Sequence, residues 1–326
     1  MLFNKWAAIF GAPKMISAYA QKYIDVKRRL MILWALLCPQ AILFAQKHYV
    51  IQSADNITLH VNEYGQGKPV ILLAGGPGFN AAYLEPIWKA LPGYRFIVPD
   101  QRGTGNSAMT KIDSGMMRVS DYVEDLELLR KHLNLQKIVL TGHSWGGMLA
   151  LAYAAKHPAN VDKLILLGSG GITQNFFKYF NSNIKMRLRE DDLAESKVAD
   201  SFALSLRAIW PGYFYNRASA LATKALVDTS LANHNAGMIN SLTLKDFKKA
   251  ENLRAAGLRK LKSPVYLIQG RQDPVGESTV YETQSIIPQT QIFFIEKCGH
   301  LPWLENDVAS ARFFELLTAS MNEEPK

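Results

Sequence analysis

The feature that most restricts this chain is a regular alternation of short apolar runs with segments of helical period. Residues 69–74 (Pro-Val-Ile-Leu-Leu-Ala), 94–98, 137–141 and 161–167 are short, strongly apolar and bounded by turn residues, so each reads as a strand. Between them, residues 121–134 carry Val123, Leu126, Leu129 and Leu133 at helical spacing behind Ser120, read as the N-cap, and residues 145–157 read as a second helix. Strands without a polar face, joined by helices, imply a parallel sheet covered on both sides. Upstream, residues 49–51 and 57–64 form an expected hairpin turning through Asp55-Asn56. The rhythm stops over residues 172–257, which are richer in polar, charged and aromatic residues and suggest several helices with no strand. It resumes with strands at 264–269 and 290–295 and a last helix at about 303–321. The expected fold class is α/β: a mostly parallel, eight-stranded sheet with helices on both faces, built from 46–171 and 258–326, with 172–257 inserted as a helical cap.

Charge first suggests something else. The chain has 37 Lys+Arg against 28 Asp+Glu, a formal +9 that invites a nucleic-acid or anionic-membrane reading. Position removes most of it, because residues 1–45 hold six basic residues against Asp25 and account for +5. There, Lys27-Arg28-Arg29 precede an apolar stretch, 30–45, that ends in Ala45 before Gln46. A basic start, a short apolar centre and a small residue at the boundary form the pattern of an export signal. The stretch contains Pro39 and Gln40 and falls short of the ~20 residues a spanning helix needs. The expectation is an exported protein, periplasmic or secreted, touching membrane only through residues 1–45 if these are retained; without a signal there, the chain is cytoplasmic. The remainder carries only +4 and no basic stripe interleaved with aromatics, which argues against a nucleic-acid partner. Cys38 and Cys298 are too few for a disulfide framework or a Cys-rich zinc site.

The chemistry concentrates at Gly142-His143-Ser144-Trp145-Gly146, a G-x-S-x-G string between an expected strand and an expected helix. Its glycines allow the sharp turn that projects the serine hydroxyl, and the turn leaves the N–H of Trp145 at a helix N-terminus, where it can stabilise an oxyanion. A serine hydroxyl needs a base and an orienting acid. Downstream of Ser144 stand only His157, which closes a helix, His234 in the insertion, and His300, in a loop just past the last strand. His300 is the expected base. Asp273, in Gly270-Arg-Gln-Asp-Pro274 directly after a strand, is the expected acid, with Asp100 as its rival. A second oxyanion donor is expected from Gly75-Gly76-Pro77-Gly78, where proline has no N–H and Gly76 is the best placed.

With Asp100-Gln-Arg-Gly-Thr-Gly-Asn-Ser107 added, these motifs span residues 70–303 in an order that resembles the α/β-hydrolase superfamily, and more narrowly its proline iminopeptidase branch. The resemblance implies the α/β-hydrolase fold, Ser144 as nucleophile, Asp273 and His300 as its partners, and the N–H groups of Gly76 and Trp145 as an oxyanion hole. It also implies residues 172–257 as a cap over a small-molecule or short-peptide substrate, with no metal and no organic cofactor. Two departures stand out. Ala74 occupies the place of the family's histidine before Gly-Gly-Pro-Gly, and the glutamates that hold a substrate's α-ammonium have only loose counterparts around Trp210-Pro211 and Ala232-Asn233-His234. Glu190, Asp191, Asp192 and Glu195 are candidate substitutes. A carboxylesterase or lactonase without aminopeptidase activity, and a non-catalytic binding protein on the same fold, are the competing expectations.

Overall fold

The computed structural model describes residues 46–231 and 233–323. The segment 1–45, read above as an export signal, lies outside them, as does Ala232. Among the described residues no helix is long and apolar enough to cross a membrane.

Eight strands form one sheet in the order β1-β2-β4-β3-β5-β6-β7-β8. They are β1 (Gln46–Gln52), β2 (Thr58–Tyr64), β3 (Lys68–Leu73), β4 (Tyr94–Pro99), β5 (Ile138–His143), β6 (Val161–Leu167), β7 (Val265–Gly270) and β8 (Thr290–Ile295). β1 pairs antiparallel with β2 and β2 antiparallel with β4, while β3 to β8 run parallel. Successive residues of β3 feed opposite faces: Ile71 and Leu73 enter one apolar cluster, Val70 and Leu72 the other. That is why this run has no polar face, since each side chain leaves water on its own side of the sheet, for about 2 kcal/mol per fully buried Leu or Ile.

Helices α1 (Glu85–Ala90), α2 (Val119–His132) and α3 (Trp145–Lys156) connect the strands up to β6. α2 and α3 supply Val123, Leu126 and Leu149 to the first cluster, whereas Ile87 and Trp88 of α1 enter the second. The sequence pattern did not reveal α1, because six residues are too few to display a period. It also misplaced the start of α2. Ser120 is not its cap: the helix starts two residues earlier, at Val119 behind Arg118, and Val119 N–H donates to Asp246 Oδ2 at 2.8 Å, a carboxylate distant in sequence.

Between β6 and β7 the chain runs through α4 (Phe177–Lys185), α5 (Glu190–Val198), α6 (Phe202–Ile209), a short turn Trp210–Tyr213, then α7 (Arg217–Thr223), α8 (Ala225–Ser230), α9 (Ala236–Lys249) and α10 (Glu251–Leu258). After β7 come α11 (Glu277–Ile286), then β8, and finally α12 (Asp307–Asn322). The connection leaving β3 goes to β4 on one side, whereas the connection leaving its neighbour β5 goes to β6 on the other. In open α/β sheets, the crevice at the carboxyl ends of strands beside such a reversal is the usual place for a ligand.

Candidate active site

Gly76, Ser144, Asp273 and His300 each follow the carboxyl end of a parallel strand, β3, β5, β7 and β8 in turn. Leu73 of β3 stands level with Gly142 of β5, so the loops that leave them are neighbours. Ser144 follows β5 and precedes α3 with φ 54° and ψ −115°, a left-handed conformation that a non-glycine residue adopts only under constraint. The constraint is visible at Gly146, where a Cβ would come within 2.3 Å of Leu73 O, so the turn packs directly on the neighbouring strand's backbone.

His300 and Asp273 come together, and His300 lines the same cavity as Ser144. His300 Nδ1 lies 2.8 Å from Asp273 Oδ2, and the aspartate side chain has no exposed surface. An ionised carboxylate can only accept, so Nδ1–H donates and Nε2 is left as the basic nitrogen. Asp273 Oδ1 accepts Val275 N–H at 2.8 Å, which fixes the carboxylate's orientation. The rival Asp100 is occupied elsewhere: its Oδ2 accepts Asn106 N–H at 2.9 Å. His157 ends α3 beside Glu124, and His234 is exposed, so neither belongs to this cluster.

The Gly75–Gly78 loop closes the other side. Gly76 has φ 112°, and a Cβ there would meet the N of Gly78 at 2.7 Å. Gly75 N–H donates to Tyr83 Oη at 2.7 Å. Among the described residues, neither Gly76 N–H nor Trp145 N–H has a hydrogen-bond acceptor. Two unpaired backbone donors beside the serine, one of them at a helix N-terminus, suit a developing negative charge.

Sequence reasoning missed the polar scaffold beneath these groups. Gln101 Nε2 donates to Ala74 O at 2.8 Å, and its Oε1 accepts from the Trp145 indole at 2.9 Å, tying the glycine loop to the serine turn. Tyr83 Oη lies 2.7 Å from His143 Nδ1, and His143 Nε2 lies 3.1 Å from the carbonyl of His300. A carbonyl only accepts, so Nε2 carries the proton and Nδ1 accepts from the tyrosine. Burial, then the neighbouring His300, holds His143 well below the usual histidine pKa, hence neutral. Only the place of Gln101 in the Asp-Gln-Arg-Gly string hinted at any of this.

Ser144 and His300 open into a cavity of about 300 Å³ whose outer wall comes from the inserted helices. Phe176, Phe180, Leu206, Trp210 and Tyr213 are among its apolar lining residues. Among the described residues that line it, none is Asp, Glu, Lys or Arg. The four candidate ammonium-binding carboxylates do not line it. Asp192 pairs with Arg217, Glu195 pairs with Lys224 at 2.6 Å, and Glu190 and Asp191 are exposed.

Known proteins agree with this architecture. Residues 68–307 match the family described as alpha/beta hydrolase fold. The chain is 27% identical over 257 residues to a proline iminopeptidase of Lactobacillus helveticus, covering 75% of this chain and 87% of that protein. It is 30% identical over 259 residues to the AB hydrolase superfamily protein YisY of Bacillus subtilis, covering 78% and 92%. Among solved structures, an esterase from Exiguobacterium antarcticum superposes with a TM-score of 0.63 at 22% identity, covering 85% of this chain and all of that one. The meta-cleavage product hydrolase CumD gives a TM-score of 0.64 at 23% identity, covering 84% and 97%. With a sheet of this order, a serine turn at its reversal and a family match over most of its length, the chain belongs to the α/β-hydrolase fold family.

Proposed function

We propose that this hydrolase cleaves neutral, apolar acyl substrates, small esters above all, through a Ser144–His300–Asp273 triad and an acyl-enzyme. The observation that carries this reading is the cavity wall beside Ser144, largely apolar and without an Asp, Glu, Lys or Arg side chain among its described residues. A substrate with a free α-ammonium, as an aminopeptidase requires, would be stranded there without a paired anion.

In the first half-reaction the Ser144 hydroxyl attacks the ester carbonyl while His300 Nε2 takes its proton. The Asp273 carboxylate, 2.8 Å from Nδ1, stabilises the resulting imidazolium. The tetrahedral oxyanion accepts from Gly76 and Trp145 N–H groups that have no competing acceptor to displace. The imidazolium returns the proton to the leaving alkoxide, and water, deprotonated by the same nitrogen, then releases the acid and frees Ser144. His143 matters here by staying neutral. Its ring centroid is 4.6 Å from that of His300, and a second cation there would oppose formation of the imidazolium.

The test is a substrate panel with wild type and Ser144→Ala. p-Nitrophenyl esters should turn over, proline p-nitroanilide should not, and a fluorophosphonate probe should label wild type alone. Labelling of Ser144→Ala equal to wild type overturns the nucleophile. Proline arylamide turnover above that of the esters overturns the substrate class in favour of the activity named for the Lactobacillus relative.

A further inference from the structure

Glu305 follows the short turn Pro302–Leu304 and has no exposed surface. Among the described residues its carboxylate makes no ion pair. Its Oε2 accepts Gly299 N–H at 2.8 Å, and its Oε1 accepts Asn216 N–H. Burial raises its carboxyl pKa, and the N–H groups of Asn216, Gly299 and Tyr215 oppose that rise, as does the nearby Arg187 guanidinium. A buried carboxylate without an ion pair is a poor way to stabilise a fold, since an apolar side chain of the same size avoids the desolvation altogether. Its two bonds therefore call for another account.

The two donors sit on different parts of the molecule. Gly299 immediately precedes His300, whereas Asn216 lies just past the Trp210–Tyr213 turn, which supplies Trp210 and Tyr213 to the cavity wall. A further bond runs parallel: His300 N–H donates to Tyr213 O at 2.7 Å. The contact is also close, for a Cβ on Gly299 would fall 2.2 Å from Tyr213 O. Ser219 Oγ, on α7, donates in turn to the backbone carbonyl of Glu305. One carboxylate thus bridges the loop carrying the imidazole and the segment forming the acyl wall.

We infer that Glu305 is a positioning residue, which locks the His300 loop onto residues 213–216 so that the imidazole and the wall of the acyl cavity keep one fixed geometry. The inference rests on the proposed role of His300 as general base. Glutamine keeps the shape of Glu305 but has a single acceptor oxygen, so one of the two N–H groups loses its partner. Aspartate keeps the charge but is one methylene too short to reach both. Each variant frees the His300 loop without touching substrate, so the loss belongs in turnover rather than in ground-state binding.

The experiment measures kcat and KM for p-nitrophenyl butyrate with wild type, Glu305→Gln and Glu305→Asp, with site concentrations set by end-point fluorophosphonate labelling. Because rates are referred to labelled sites, any folded fraction is informative. Expected is a kcat per labelled site lower by about 10- to 100-fold in both variants, with KM within threefold of wild type. A kcat per site within twofold of wild type, in either variant, overturns the inference and makes Glu305 a purely structural group. Failure of the underlying reading looks different: wild type itself would not be labelled at Ser144.

Discussion

Nδ1 of His300 lies 2.8 Å from Oδ2 of Asp273, a contact that joins the loops leaving two neighbouring strands, β8 and β7, and is shut off from solvent. Its consequence is a definite tautomer. Asp273→Asn offers an amide in the same place, which no longer stabilises an imidazolium and can favour the wrong tautomer. Ester kcat should fall by about 10³- to 10⁴-fold with little change in thermal unfolding, as measured by steady-state kinetics beside a circular-dichroism melt. A loss below tenfold would mean that the pair is not catalytic.

Gly76 offers a test of the oxyanion site, which no side-chain deletion can reach. In Gly76→Ala the new methyl meets the N of Gly78 at 2.7 Å and Phe79 N at 2.9 Å, at a φ of 112° that an L side chain rarely adopts. The loop must shift and carry its N–H with it. kcat should drop at least about 100-fold while KM changes little, since the donor acts on the transition state. Unchanged kcat would assign the oxyanion to other donors.

Leu206 on α6 is buried and lines the cavity that Ser144 and His300 share. Leu206→Ala should enlarge that wall at a stability cost of about 2–4 kcal/mol. The kcat/KM ratio of p-nitrophenyl octanoate to butyrate should rise by roughly tenfold, about what one or two methylene groups are worth in such a pocket. A ratio that does not move would place the acyl chain elsewhere.

Away from the site, Glu127 on α2 bonds Arg130 at 2.7 Å and the Tyr153 hydroxyl at 2.8 Å. The Arg130 guanidinium above all lowers its carboxyl from 4.5 to about 2. A depressed carboxylate contributes stability that is fully present above the unfolded pKa and is lost as pH falls through the folded one. The window is therefore pH 4.5 down to about 2. Glu127→Gln should unfold more readily at pH 7, by roughly 2 kcal/mol, and the difference from wild type should shrink across that window. Denaturant melts at pH 7, 4 and 2.5 measure it, and a constant difference would contradict the linkage.

The active-site loops show how far local reading extends. The strand before Ser144, the turn around it and the loop holding His300 are each written within about ten residues, because period and turn chemistry are local properties. The choice of Asp273 over Asp100 was not local. Both follow strands, and the expectation of Asp273 meets its contact in the sheet order, which brings β7 beside β8 while Asp100, at β4, is bonded to Asn106 N–H. Ser120 failed as a helix cap for the same reason, since Asp246 arrives from the insertion to take Val119 N–H.

What the sequence by itself determined is the alternating α/β architecture, the serine turn and the residue types available for acyl transfer. Each follows from backbone geometry and side-chain chemistry over short stretches. Only the tertiary structure decided what surrounds Ser144: a largely apolar wall from the inserted helices, a neutral His143 held by Tyr83, and a buried Glu305 tying His300 to residues 213–216. Those features are contacts between residues far apart in the chain. Their partners are selected by how strands and helices pack, and no pattern confined to one segment records that selection.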